Sequence, residues 1–172
     1  YANKGRVDAG GLVLVSSSSC SLYVGGNASN ARDSVGYGNE LVVCGGGIVT
    51  NMGTTCLGGS PTNGMNSLVV TNGGCFYTGQ NAFIGELGRS NSLYVADNGR
   101  FDVAKDLYVG NGNYRTNAWN NRLVLGSGGT ASVTYTTYIG GNGCSNEVVV
   151  ASGGTFVSTN GIGIGVYASA TG

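Results

Sequence analysis

Five segments of this 172-residue chain open with Asn-x-Leu or Asn-x-Val, at Asn39, Asn66, Asn91, Asn121 and Asn146, and glycines follow each at unchanging distances. The first glycine stands six residues after the Leu or Val (Gly47, Gly74, Gly99, Gly129, Gly154), and the second eleven residues further on (Gly58, Gly85, Gly110, Gly140, Gly165). Length varies only between that second glycine and the next Leu or Val, where the separations are 10, 8, 13 and 8 residues and the repeats are therefore 27, 25, 30 and 25 residues long. A rigid 17-residue span joined by one elastic loop is what a coil needs when each turn must lie on the last while one corner bulges freely.

Inside the span apolar residues alternate as in strands, and neither a 3.6-residue stripe nor a helix cap is visible. The first strand is expected to turn Leu41 and Val43, Leu68 and Val70, Leu93 and Val95, Leu123 and Leu125, and Val148 and Val150 inward. A corner follows at Gly46-Gly47, Gly73-Gly74, Asn98-Gly99, Gly128-Gly129 and Gly153-Gly154, residue types that accept positive φ cheaply. The second strand then buries Val49, Phe76, Phe101, Ala131 and Phe156, and the third closes with Thr55/Leu57, Ala82/Ile84, Leu107/Val109, Thr137/Ile139 and Ile162/Ile164. The expected architecture is all-β: a single-stranded parallel β-helix, or β-solenoid, with about three short strands and 25–30 residues per turn and roughly six turns. At a strand spacing of about 4.8 Å such a rod is about 30 Å long. Five or six buried side chains per turn contribute roughly 10 kcal/mol, less than the cost of ordering the turn, so stability belongs to the stack.

Composition narrows the chemistry. Gly (34), Asn (19), Ser (17) and Thr (14) fill nearly half the chain, and eight basic residues balance eight acidic ones. No basic footprint for nucleic acid arises, and no membrane insertion is expected. With no histidine present, the commonest general base and neutral metal ligand is missing. Neither catalytic residues nor a cofactor is expected. The charge cluster Asp97, Arg100, Asp102, Lys105 and Asp106 interleaves its signs and offers too few oxygens for calcium, so it reads as a solvated ion-pair network. Cysteines at 20, 44, 56, 75 and 144 lack Cys-x-x-Cys spacing, which argues against a metal site. Disulfides between adjacent turns among Cys20, Cys44, Cys56 and Cys75 are one reading and small buried hydrophobes another; Cys144, in a variable loop, is a free thiol or a link between molecules.

Two expectations concern surfaces. Between its inward residues the third strand points Cys56, Phe83, Tyr108, Tyr138 and Gly163 outward, with Tyr23 as the first-copy equivalent, and the first strand does the same with Val42, Val69, Tyr94, Val124 and Val149. Contiguous outward columns on two faces imply a covered surface, through lateral packing or the long loops; a carbohydrate-stacking platform is the alternative. Residues 1–38 are expected to hold an irregular first turn starting at Leu12, a cap or inter-subunit pairing segment, ahead of regular repeats over 39–172. The last turn ends with no covering helix or charge cluster, so its strand edge invites continuation by more chain or by a second molecule.

Repeated Asn-x-Leu-x-Val-x-x-Gly-Gly, then Phe, then Ile-Gly, over residues 39–165, resembles the autotransporter-associated β-strand repeats of very large bacterial surface proteins. The resemblance implies a right-handed β-helical passenger or surface fibre, exported to the cell exterior and acting in adhesion or as a stalk. A chain starting at Tyr1 without a signal peptide reads as one already trimmed. The functional expectation is an extracellular structural protein, a β-solenoid subunit of a fibre, filament or adhesive stalk whose partner is a second copy of the chain, head to tail and side by side. The alternative is a glycan-binding or polysaccharide-active β-helix with host or matrix glycans as partners, using Tyr108 and Tyr138 with Asp97, Arg100 and Asp102 nearby.

Overall fold

The computed structural model describes residues 2–26, 36–111 and 118–165, and every element in it is a strand. The coils run β1 (Lys4–Val7), β2 (Leu12–Val15), β3 (Ser21–Val24); β4 (Glu40–Val43), β5 (Ile48–Asn51), β6 (Thr54–Leu57); and β7 (Ser67–Val70), β8 (Cys75–Thr78), β9 (Ala82–Ile84). They continue with β10 (Ser92–Val95), β11 (Arg100–Val103), β12 (Leu107–Val109); β13 (Arg122–Leu125), β14 (Thr130–Val133), β15 (Thr136–Ile139); and β16 (Glu147–Val150), β17 (Thr155–Ser158), β18 (Gly161–Ile164). Every third strand pairs in parallel, giving three six-stranded sheets, β1-β4-β7-β10-β13-β16, β2-β5-β8-β11-β14-β17 and β3-β6-β9-β12-β15-β18. This is the β-solenoid that the spacing predicts. Residues 166–172, at the end of the expected regular repeats, lie outside the described residues.

Alternation decides what is buried. Leu41, Leu68, Leu93, Leu123 and Val148 stack in register, as do Val43, Val70, Val95, Leu125 and Val150. Between these columns and the inward residues of the other two sheets lies one apolar cluster, with Phe76 and Phe101 tilted together at 5.6 Å between ring centroids. One buried patch is polar. Asn51 Nδ2 donates to Thr54 O and to Thr55 Oγ1, Thr55 Oγ1 donates to Thr78 Oγ1, and Thr78 Oγ1 donates to Gly53 O. Because each of these groups finds a partner, the cluster escapes the penalty of orphaned buried polar atoms.

The first coil corrects the sequence reading. Leu12 does not begin it: Gly5 pairs with Leu41, and Leu12 pairs with Ile48 on the second sheet. A glycine stands where later coils carry Leu or Val, which removes the apolar signal. The distance from Gly5 to Gly11 then matches that from Leu41 to Gly47, and the departure lies in the second corner, where Ser16–Cys20 occupy the place of Met52–Gly53.

Glycine at the first corner is needed for a different reason than expected. Positive φ falls on Gly46, Gly73, Asn98, Gly128 and Gly153, not on the invariant residue after each. At Gly47, Gly74, Gly99 and Gly129 an added Cβ would strike the carbonyl of Val7, Val43, Val70 or Val95 in the coil beneath, closer than real Cβ atoms approach. These glycines are set by the tightness of stacking. A second positive-φ position directly precedes Asn39, Asn66, Asn91, Asn121 and Asn146, at Gly38, Met65, Ser90, Asn120 and Ser145, and only the first is glycine. A side chain in this region costs about 1–2 kcal/mol.

Gly74→Ala is therefore expected to lower stability by about 3 kcal/mol or more through backbone collision, whereas Met65→Gly raises it by about 1 kcal/mol by relieving the left-handed strain. Urea unfolding of the two variants beside the parent measures the contrast.

Candidate functional site

The corner where each coil returns to its first strand concentrates the polar chemistry. Side-chain amides at the coil starts form one ladder: Asn3 Nδ2 donates to Asn39 Oδ1 at 3.0 Å, Asn39 to Asn66 at 2.9 Å, Asn66 to Asn91 at 2.9 Å, Asn91 to Asn121 at 3.0 Å and Asn121 to Asn146 at 3.1 Å. Each backbone N–H of the lower asparagine donates to the same Oδ1. Asn66, Asn121 and Asn146 also donate through Nδ2 to the carbonyls of Gly36, Gly88 and Ala118. Asparagine is the residue that satisfies this corner, since it presents an acceptor and a two-proton donor on one short stem. The sequence reading identified five of the six; Asn3 escaped it because Gly5, and no Leu or Val, follows two residues later.

The glycine that ends the third strand belongs to the same site. Gly25, Gly58, Gly85 and Gly110 have positive φ, and a Cβ on them would collide with the amide of Asn66, Asn91, Asn121 or Asn146 respectively. In every case the asparagine opens the coil after the next. Two invariant columns are thus one contact: the glycine makes room for the ladder. Gly140 and Gly165 share the conformation, with φ 64° and 60°.

The outward columns fall where the spacing places them. Tyr23, Cys56, Phe83, Tyr108, Tyr138 and Gly163 are in register on the third sheet. Phe83 and Tyr108 stack at 4.8 Å between centroids and 13° between planes, and Tyr108 and Tyr138 at 5.0 Å and 16°. The rings thus face one another along the axis, an arrangement compatible with the strand spacing. On the first sheet Arg6, Val42, Val69, Tyr94, Val124 and Val149 align, with the valines half-buried and Tyr94 exposed.

Two clusters were not foreseen. Two residues before the ladder, the column Tyr37, Gly64, Arg89 places the guanidinium of Arg89 within 3.2 Å of Tyr37 Oη and 5.5 Å from the centroid of Trp119. Its signal was the constant offset from Asn39, Asn66, Asn91 and Asn121, hidden by unlike residue types. The other is Cys56, which points outward yet is buried because the loop after Gly85 folds over it; its Sγ donates to Glu86 Oε2 at 3.4 Å. Burial, then the Glu86 charge, holds the Cys56 thiol well above its ordinary pKa, and burial likewise raises Glu86.

The cysteines do not pair. All five are free within the chain, and the columns keep them apart: Cys56 lies between Tyr23 and Phe83, Cys75 between Ile48 and Arg100, and Cys44 directly follows Val43, which pairs with Val70 in the next coil. Cys20 sits in the enlarged second corner, and Cys144 in the return loop two residues before Asn146. Among the described residues no group of His, Cys, Asp or Glu is arranged to hold a metal ion. Of the charge cluster, Arg100 pairs with Asp102 at 2.6 Å and Asp97 accepts from Thr71 Oγ1 at 3.0 Å.

No family model, curated protein or solved structure matches the chain.

Asn91→Ala removes an acceptor for two buried donors of Asn66 and a donor to Asn121, and a loss of about 3 kcal/mol is expected in denaturant unfolding. Glu86 has a folded pKa above its unfolded value, so the native state holds the proton more tightly there. Its contribution favours the fold at low pH and is lost as pH rises from the ordinary carboxylate range through the raised value. Glu86→Gln should flatten that part of the stability profile, which urea midpoints between about pH 4 and 7 for parent and variant will measure.

Proposed function

We propose that this chain is an extracellular structural protein, a β-solenoid subunit of a fibre, filament or adhesive surface stalk that assembles by coil stacking and lateral packing. The observation that carries this reading is the six-member asparagine ladder, in which the most regular polar side chains bind coil to coil. A site evolved to hold a ligand leaves its donors and acceptors aimed at that ligand; here they are aimed along the rod.

The aromatic column supports the same role over glycan binding. Sugar platforms offer an open ring face, whereas Phe83, Tyr108 and Tyr138 stack face to face, so that the rings take up one another's faces. The resemblance of residues 39–165 to autotransporter-associated β-strand repeats favours an exported, cell-surface setting. A composition rich in Asn and Ser and poor in charge accords with it. Such a role requires no catalytic group.

Electron microscopy and sedimentation over a concentration series test the proposal. Uniform filaments with an axial repeat of about 4.8 Å in fibre diffraction are expected, and Tyr108→Ala with Tyr138→Ala should reduce bundling. A monodisperse monomer at every concentration removes the assembly reading; loss of glycan retention by the double variant with bundling intact replaces it with the glycan-binding one.

A further inference from the structure

We infer that the return corner around Arg89 is a binding site for an acidic polysaccharide, with Arg89 taking the carboxylate of a uronic acid residue and Trp119 the apolar face of a sugar ring. The site lies in the return loops, outside the three sheets and their stacked rings, and does not depend on how rods assemble. Residues at one level of successive coils build it. Tyr37, Gly64 and Arg89 pair as parallel bridges, and Trp119 follows in the next coil, where its carbonyl accepts from the N–H of Ser90. Gly64 is the floor: a Cβ there would stand 3.1 Å from Tyr37 Cε1 and 3.3 Å from Arg89 Cγ. Without one, the two side chains close over it. Arg89 Nη2 donates to Tyr37 Oη at 3.2 Å, and the guanidinium carbon lies 5.5 Å from the centre of the indole.

Arg89 is unlike the other arginines. Among the described residues Arg6, Arg100 and Arg122 each pair with a carboxylate, whereas Arg89 is exposed and held by a phenol and an indole. With no carboxylate of the described residues in ion-pair contact, its planar fork is oriented and has donors to spare. A carboxylate fits such a fork through two parallel charge-assisted bonds. The surface beside it is apolar and open, with Trp119 39% exposed and Met65 69%. Met65, whose N–H donates to Arg89 O, holds a left-handed backbone with φ 55°. A long apolar side chain kept in water on a strained backbone adds little to the fold, and such strain marks a surface used for contact.

The backbone of this corner separates the ligand classes. The N–H groups of Gly38, Met65, Ser90 and Asn120 donate to the carbonyls of Gly64, Arg89, Trp119 and Cys144, so the corner offers a peptide main chain no strand to pair with. A single guanidinium on a chain of balanced charge is too little for a phosphate backbone. A sugar acid needs what is present: a partner for its anion, an apolar surface for its C–H face and neutral polar groups for its hydroxyls. Tyr37 Oη supplies one of these, and Asn120, whose Nδ2 reaches Ser90 Oγ at 3.4 Å, supplies another. From Tyr37 to Trp119 the rod climbs about 14 Å at a strand spacing of about 4.8 Å. That is longer than one sugar ring, so the ligand is a chain of sugars.

Trp119 is the only tryptophan present, so its fluorescence reports on this corner alone. Titrating the 172-residue chain with an oligogalacturonate is expected to change that emission saturably. The methyl ester of the same oligomer, which keeps the rings and loses the charge, should bind roughly tenfold more weakly. Arg89→Gln should lose a similar factor, and Arg89→Lys should recover only part of it, because an ammonium keeps the charge without the fork. Trp119→Ala, followed by calorimetry, should weaken binding while its circular dichroism stays that of the parent. No saturable change in emission or heat up to millimolar oligogalacturonate, or equal affinity for the ester or in Arg89→Gln, overturns the site. Poly-glutamate binding as tightly as the uronate reassigns the corner to acidic peptides and overturns the carbohydrate. Each of these results leaves the structural role of the rod standing, which filament formation tests separately.

Discussion

The contact between an asparagine amide and a glycine without a side chain sets the pitch of this rod. Parallel strands bonded only through their backbones can slide, because every residue offers the same donor and acceptor. The ladder from Asn3 to Asn146 abolishes that freedom by giving each coil one side chain that must find its copy above and below. It is buried from Asn66 to Asn121, where a broken link would strand polar groups away from water. Since the ladder resets the register at each coil start, the preceding loop can differ in length without disturbing the next three strands.

Two glycine columns that look alike in the sequence answer to different forces. At Gly47, Gly74, Gly99 and Gly129 the neighbouring coil's carbonyl leaves no room for Cβ, and the backbone itself is ordinary. At Gly58, Gly85 and Gly110 both the backbone and the amide above demand glycine. Invariance of residue type therefore conceals whether conformation or close approach is being enforced, and only coordinates separate them. The converse holds one residue before the ladder, where positive φ recurs at Met65, Ser90, Asn120 and Ser145 without a recurring residue type.

Most of the coil was legible in the sequence because its determinants are local in period: Leu93 and Val95 alternate within one strand, and Gly99 lies six residues beyond Leu93 as in every equivalent copy. The aromatic stack was legible for the same reason, since equal spacing places Phe83, Tyr108 and Tyr138 at one level. The first coil was misread because Gly5 carries no apolar mark and the enlarged corner at Ser16–Cys20 displaces the third strand along the chain. Cysteine spacing along the chain does not reveal that Cys44, Cys56 and Cys75 stand in different columns, because a column is a property of pairing between coils. The burial of an outward Cys56 beneath Glu86 depends on the path of a variable loop, which no repeat encodes.

The sequence by itself determined a β-solenoid, its strand faces, its glycine corners and its asparagine column, because a stack of near-identical turns writes each structural requirement once per period. The tertiary structure alone decided what those residues touch: that the amides bond in one direction, that each closing glycine receives the asparagine opening the coil after the next, and that the rings on the outside stack along the axis. These are contacts between turns about 25 residues or more apart, and their geometry comes from the rise and lateral offset of one coil on another, which the spacing along a chain does not contain.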